Sequence, residues 1–110
     1  RVLVIEINQK NNFLINVYKD NKELVERDFV IIYKIEKNTF IKNRKMSKHF
    51  SKSIARIIKN IDSKHSIFLI GKDGKLKNSY PIDVKIEKIS SDVDKMPMRI
   101  QEIQFLRKTR

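Results

Sequence analysis

Cysteine is absent from this 110-residue chain. No thiolate can serve as nucleophile, as peroxidatic or resolving group, or as metal ligand. The same absence suits oxidising and reducing compartments equally. No apolar run approaches the ~18 residues of a membrane-spanning helix. Histidine is nearly as scarce. His49 and His65 stand alone, with no second histidine or carboxylate at ligand spacing, so no metal site is expected. Ser47, Ser51 and Ser53 lack the Gly-x-Ser-x-Gly context of a nucleophile elbow, and helix caps or solvated hydroxyls explain them. Asp92 and Asp94 are close in sequence but diverge on a helix, whereas acid–base catalysis needs convergent carboxylates. No cofactor and no enzymatic activity are expected.

Acidic residues are outnumbered, 13 against 25 lysines and arginines, which leaves a net charge of +12. Such a field attracts nucleic acid, anionic polysaccharide or acidic lipid. A second explanation stands beside it. Lysine, isoleucine and asparagine all have A/T-rich codons, so the excess can reflect base composition carried on solvated faces. The lysines are spread over every segment rather than gathered in one run. The length predicts one domain, residues 1–104, with a basic tail at 105–110. A chain of this size buries roughly 65% of its unfolded surface and needs no staples.

Val2 to Ile7 is a nearly continuous apolar run of strand formers, which predicts a strand buried on both faces. Asn8 to Asn12 reads as a turn. Phe13, Leu14, Val17, Tyr18, Asn21, Leu24 and Val25 are spaced near 3.6, which predicts a helix from about Asn12 to Asn21. The same residues also allow a strand that turns at Asp20 and Asn21. Asp28 to Ile35 is the clearest strand. Glu36 to Arg44 is polar, with Phe40 and Ile41 as packing points. Met46, Phe50, Ile54, Ile57, Ile58 and Ile61 then share one helical face, with Ser47 or Ser51 as N-cap. Asp62 to Lys64 breaks that period. Ser66 to Ile70 and Leu76 to Tyr80 are two strands joined through Gly71, Lys72, Asp73 and Gly74, a tight Asp-Gly turn. Pro81 ends the second. Asp83 reads as the N-cap of a helix striped by Ile86, Ile89, Val93 and Met96, and Pro97 stops it. Ile100 to Arg110 is a polar, basic tail, helical at first.

The element order is therefore β-α-β-α-β-β-α. A helical crossover between the first two buried strands predicts parallel pairing, and the late hairpin is antiparallel. This is a mixed four-stranded sheet with helices on both faces, a thioredoxin-like α/β arrangement.

Phe68 to Lys77 (F-L-I-G-K-D-G-K-L-K), followed by Val93 to Glu102 (V-D-K-M-P-M-R-I-Q-E), resembles the peroxiredoxin-like "DUDES" domain family. Asp94, Met96, Pro97, Met98, Arg99 and Glu102 sit at the places of that family's Ile-Asp-x-Met-Pro-Met-Arg-x-x-Glu ending, with Val93 in place of its Ile. Glu26 to Val30 resembles the Glu-Arg-Asp opening of its second strand, and Arg1 to Val4 its first strand. The family occurs in short bacterial exported proteins, in vertebrate sushi-repeat proteins and in a coiled-coil-domain matrix protein. The resemblance implies a thioredoxin-like fold and a periplasmic or secreted location. No signal peptide is visible before Arg1, which leaves export open. Redox-active thioredoxin-like proteins carry a cysteine after the first strand and a proline before the third. This chain has neither, which argues against oxidoreductase chemistry.

The expected function is that of a non-catalytic binding domain. An unidentified protein partner is the first reading, and an anionic polymer held by the basic surface is the alternative. The residues singled out are Arg27, Asp28, Gly71, Lys72, Asp73, Gly74, Met96, Pro97, Met98, Arg99 and Glu102. Arg27, Asp28, Arg99 and Glu102 are expected to form a polar cluster near the sheet edge. Gly71 and Gly74 serve the turn, or form an anion nest with Lys72. Met96 and Met98 fill an irregular core gap or offer an adaptable apolar surface. Lys34, Lys37, Phe40, Lys42, Arg44 and Lys45 are the best local candidate for a nucleic-acid surface with interleaved aromatics.

Overall fold

A computed structural model describes residues 1–7, 12–59 and 64–108. The expected turn at Asn8 to Asn11, the packing of the Phe13 side chain, the helical position of Ile61 and the break at Asp62 and Ser63 lie outside what it describes. The apolar run Val2–Ile7 forms β1, which sits in the middle of the sheet. Its neighbours are β2 (Val30–Ile35), paired parallel in the register Val2 to Val30, and β5 (Ile67–Ile70), paired antiparallel in the register Val2 to Ile70. Strand β6 (Leu76–Tyr80) completes an antiparallel hairpin with β5.

Because β1 and β5 are apolar on both sides, the sheet needs cover on both. Leu3, Ile5, Ile7, Tyr33, Ile67 and Leu69 face one core. That core is closed by α1 (Asn12–Tyr18), α2 (Lys22–Glu26) and α4 (Ile86–Asp94), through Tyr18, Leu24, Ile89 and Val93. Val4, Ile32, Phe68 and Ile70 face the other core, where α3 (Lys48–Ile57) contributes Ile54 and, at its C-cap, Ile58.

The segment between β2 and α3 corrects the expectation of four strands. It folds as β3 (Asn38–Ile41) and β4 (Arg44–Lys45), so the sheet has six strands in the order β4-β3-β2-β1-β5-β6. Both connections are tight and neither uses glycine. Ile35 pairs with Asn38 across Glu36 (φ 55°) and Lys37. Ile41 pairs with Arg44 across Lys42 (φ 48°) and Asn43 (φ 66°), the two positive φ angles of a type I′ turn.

Three boundaries also move. The segment from Asn12 to Glu26 is helical but in two pieces, with the Asn21 side chain accepting from the N–H groups of Glu23 and Leu24 to start α2. Helix α4 begins at Ile86 behind Lys85 rather than at a cap made by Asp83, because Pro81 to Val84 close a turn of their own. Pro97 does not stop a helix. It is the first residue of α5 (Pro97–Lys108), where its missing N–H leaves no donor unsatisfied. The preceding break lies at Lys95, and the segment expected to be helical only at first is helical to Lys108.

Ser47 caps α3 by accepting from the Phe50 N–H at 3.1 Å. Ser51 turns inward instead, and its hydroxyl lies 2.8 Å from that of Thr39 on β3, both side chains buried. This hydroxyl pair fastens α3 to the ribbon. Thr39→Val removes one partner and is expected to destabilise the fold by about 1–2 kcal/mol. The Ser51 hydroxyl also donates to the Ser47 carbonyl at 3.1 Å, so Thr39→Val combined with Ser51→Ala should cost less than the sum of the two single losses. A denaturant double-mutant cycle with strictly additive losses would refute the pairing.

Candidate functional site

Strands β1 and β2 begin, and β5 ends, at one end of the sheet. The end of α2, the end of α4 and the first turns of α5 arrive there too. Eight charged side chains meet at this point. Arg1, Arg27, Lys72 and Arg99 face Glu26, Asp28, Asp94 and Glu102. Four cations against four carboxylates leave no net charge.

Each member is placed by local structure. Helix α2 ends with Asp28 in the left-handed region at φ 58°. The Asp28 N–H donates to the Val25 carbonyl at 3.0 Å, and the Phe29 N–H donates to Leu24 at 3.0 Å. This is the double closure of a Schellman end, with aspartate where glycine is the easier residue. The turn aims Asp28 at Lys72, whose Nζ lies 3.1 Å from its carboxylate and 2.6 Å from Glu102. Lys72 itself is set by the β5–β6 turn. The Gly71 carbonyl accepts from the Gly74 N–H at 3.0 Å, and Gly74 has φ 78°. A Cβ on Gly71 would lie 2.6 Å from the flexible Lys77 side chain.

Asp73 stays within the turn. Its carboxylate accepts from the Lys75 N–H at 3.1 Å and pairs with Lys77 at 2.7 Å. The loop therefore supplies its own anion, and Lys72 points away from it.

Arg99 is the buried centre, 3% exposed. Its guanidinium spans Asp94 at 3.3 Å, Glu102 at 3.3 Å and Glu26 at 3.4 Å. Arg27 grips Asp94 through two bonds of 2.8 and 2.9 Å. The Arg1 side chain, also buried, reaches the Arg27 carbonyl at 3.0 Å and Glu102 at 3.2 Å. The Asp94 carboxyl is held below its ordinary value, chiefly by the Arg27 hydrogen bonds. Burial alone would raise the Glu102 carboxyl. Hydrogen bonds from Lys72, Arg1 and Arg99 outweigh that and bring it down to about 2.

Arg27, Asp28, Lys72, Arg99 and Glu102 are thus brought together, whereas Asp73 and Gly74 remain in the turn. The cluster lies at the ends of the central strands rather than beside the edge strands β4 and β6. Arg1, Glu26 and Asp94 belong to it as well. Their sequence signals were an arginine directly before a buried strand, the glutamate that precedes Arg27 and Asp28, and an aspartate at a helix end.

The two methionines separate. Met96 packs against the core closed by α4, whereas Met98 is 49% exposed. Met98, Phe105 and Leu106 on α5, together with Glu26 and Asp28, border an open hollow of about 520 Å³ above the cluster. Asp92 turns away from Asp94, accepting from the Tyr80 hydroxyl at 2.7 Å, and burial, helped by this contact, raises the tyrosine hydroxyl. His65 lies 2.6 Å from the Ser79 hydroxyl. Among the described residues no three histidines or carboxylates converge as a metal site. No helix among them is long and apolar enough to cross a membrane.

The other charged region was only half visible as a lysine pattern. Its clearer signal is a gap in the acids. Residues 37–61 contain eight lysines and arginines and no aspartate or glutamate, so they carry eight of the twelve net positive charges. Lys37, Lys42, Arg44 and Lys45 lie on the β3–β4 ribbon, and Lys48, Lys52, Arg56 and Lys59 follow on and just after α3. All eight are exposed. Phe40, expected among them as a stacking aromatic, packs into the core beside Tyr33.

These features define a mixed α/β domain with a six-stranded sheet, a neutral ionic cluster at one end and a basic ribbon and helix at one edge. The chain matches the model of a domain of unknown function, DUF4174, over residues 1–102 and belongs to that family. No curated protein and no solved structure matches it.

Arg99→Ala is expected to destabilise the fold by about 3 kcal/mol, since it uncovers buried carboxylates. Unchanged stability would refute a structural role for the cluster. The Glu102 carboxyl is lower folded than unfolded, so its contribution is complete above pH ~4.5 and is lost as pH falls toward 2. Glu102→Gln should lower stability at pH 7 by about 2–3 kcal/mol and flatten the loss between pH 5 and 2 in acid denaturation.

Proposed function

We propose that this domain is a non-catalytic interaction module on a thioredoxin-like scaffold without thiols. The scaffold reading is supported by connectivity. With the β3–β4 ribbon set aside, the strand order is β2-β1-β5-β6, with one parallel pair, a final hairpin and α3 on the opposite face from α1 and α4. The motif residues gather where β1 begins. In redox-active thioredoxin-like proteins the thiols follow the first strand, at its other end.

One observation carries the functional reading. The polar motif residues are paired within the protein, while α5 leaves an apolar strip exposed beside them. Met98 and Phe105 are 49% and 66% exposed on one face of α5. On the rim of the hollow Glu26 and Asp28, each about two-thirds exposed, keep open carboxylate surface beyond their contacts with Arg27, Arg99 and Lys72. Apolar anchors beside carboxylates suit a protein segment with apolar side chains flanked by lysine or arginine. Export to the periplasm or medium is part of the proposal and is read by fractionating the source cells.

Selection from a random peptide library should enrich such basic-flanked apolar segments. Met98→Gln with Phe105→Gln should abolish their binding at 0.5 M salt while leaving Tm within about 2 °C, as surface changes do. Enrichment of acidic peptides, or binding indifferent to both substitutions, would overturn the reading.

A further inference from the structure

The described part of the acid-free segment, residues 37–59, is anchored at several points. Ser47 caps α3, Ile54 and Ile58 anchor it to the sheet, and Ser51 bonds Thr39 on the ribbon. Lys48, Lys52 and Arg56 recur every fourth residue, so they form one stripe about 12 Å long at 1.5 Å per residue. The stripe lies roughly opposite the buried positions Ser51, Ile54 and Ile58. Arg44 and Lys45 on the edge strand lead directly into it through Met46 and Ser47. Among the described residues none of these cations is paired with a carboxylate, and the ion pairs those residues make lie elsewhere. Base composition accounts for many lysines, but it does not account for 25 consecutive residues without an acid.

We infer that this face binds double-stranded nucleic acid through its phosphates, without reading sequence. Three features select that ligand. The charge is presented on the exposed outer side of a helix. A flexible chain would lose conformational entropy on being laid along such a ridge. A duplex is stiff over about 50 nm and already carries one charge per ~1.7 Å of axis. The aromatics of the segment, Phe40 and Phe50, are packed against the two cores, so neither stands out as an open platform for stacking the bases of a single strand. The cations are lysine-rich point charges, which position a phosphate backbone and carry no base readout. This face is separate from the hollow beside α5, and the in vitro test does not depend on compartment.

The test is fluorescence anisotropy with a 20-base-pair DNA duplex of random sequence, titrated across salt, on the full chain. The unaltered protein should bind at 50 mM salt with a steep negative dependence of log K on log salt. K48Q/K52Q/R56Q/K59Q should weaken binding by about 100-fold and reduce the slope by about 3. K19Q/K75Q/K85Q/K95Q removes the same charge from other surfaces and should weaken it less than about 10-fold by the same reasoning. R44Q/K45Q, which leaves α3 unaltered, should weaken binding and reduce the slope by about 2, and it decides the matter if the helix variant loses its fold. Equal losses in the two quadruple variants would reduce the effect to net charge and overturn the site. Absence of duplex binding at 50 mM salt would also overturn it. So would tighter binding of a single strand or of a sulfated polysaccharide of matched length.

Discussion

Two-sided burial of the central strands is the constraint on which the rest depends. Leu3 and Ile5 need cover on one face of β1, and Val4 needs it on the other. Helices on a single face would leave half of that apolar surface in water, at roughly 25 cal/mol for each Å². The chain meets the demand by sending α1, α2 and α4 to one side and α3 to the other. The parallel pairing of β1 and β2 follows from the same requirement, because a crossover between parallel strands carries a helix onto a face.

The cost of that design appears where chain segments converge. The starts of β1 and β2, the end of β5 and three helix termini crowd one end of the sheet. Arginine reaches such a place with a flat, multidonor group that bonds carbonyls and carboxylates together. Arg1 bonds a carbonyl at the end of α2 as well as Glu102, and Arg27 bonds a carbonyl within α2 as well as Asp94. The cluster is therefore as much a set of backbone caps as of ion pairs. Buried ion pairs add little net stability, but they punish disruption strongly. Their contribution is to fix which termini meet.

Much of the fold was legible in the sequence because the signals were local and repeated. The continuous runs at Val2 and Ile67, the Asp-Gly turn and the four-residue recurrence of Phe50, Ile54 and Ile58 all specify their elements without tertiary help. The ribbon was not legible, because its turns at Glu36–Lys37 and Lys42–Asn43 lack glycine. Lysine at positive φ is held there by the strands on either side, an effect that no short window contains. Pro97 misled for a related reason. A proline marks a boundary but not its direction, and here the chain needed a helix start. Within the cluster, Arg99 and Glu102 could be paired from their spacing. Arg1 and Lys72 could not, since they meet Glu102 across 101 and 30 residues.

The short outermost strand has a further consequence. Strand β4 is only two residues long, and both are cationic. An open sheet edge ordinarily invites another chain to add a strand, the first step toward aggregation. Here the invitation is brief, and it is charged. A second copy approaching edge to edge would bring Arg44 and Lys45 against their own kind. The ribbon thus closes the sheet on that side by repulsion, where other folds use a covering helix.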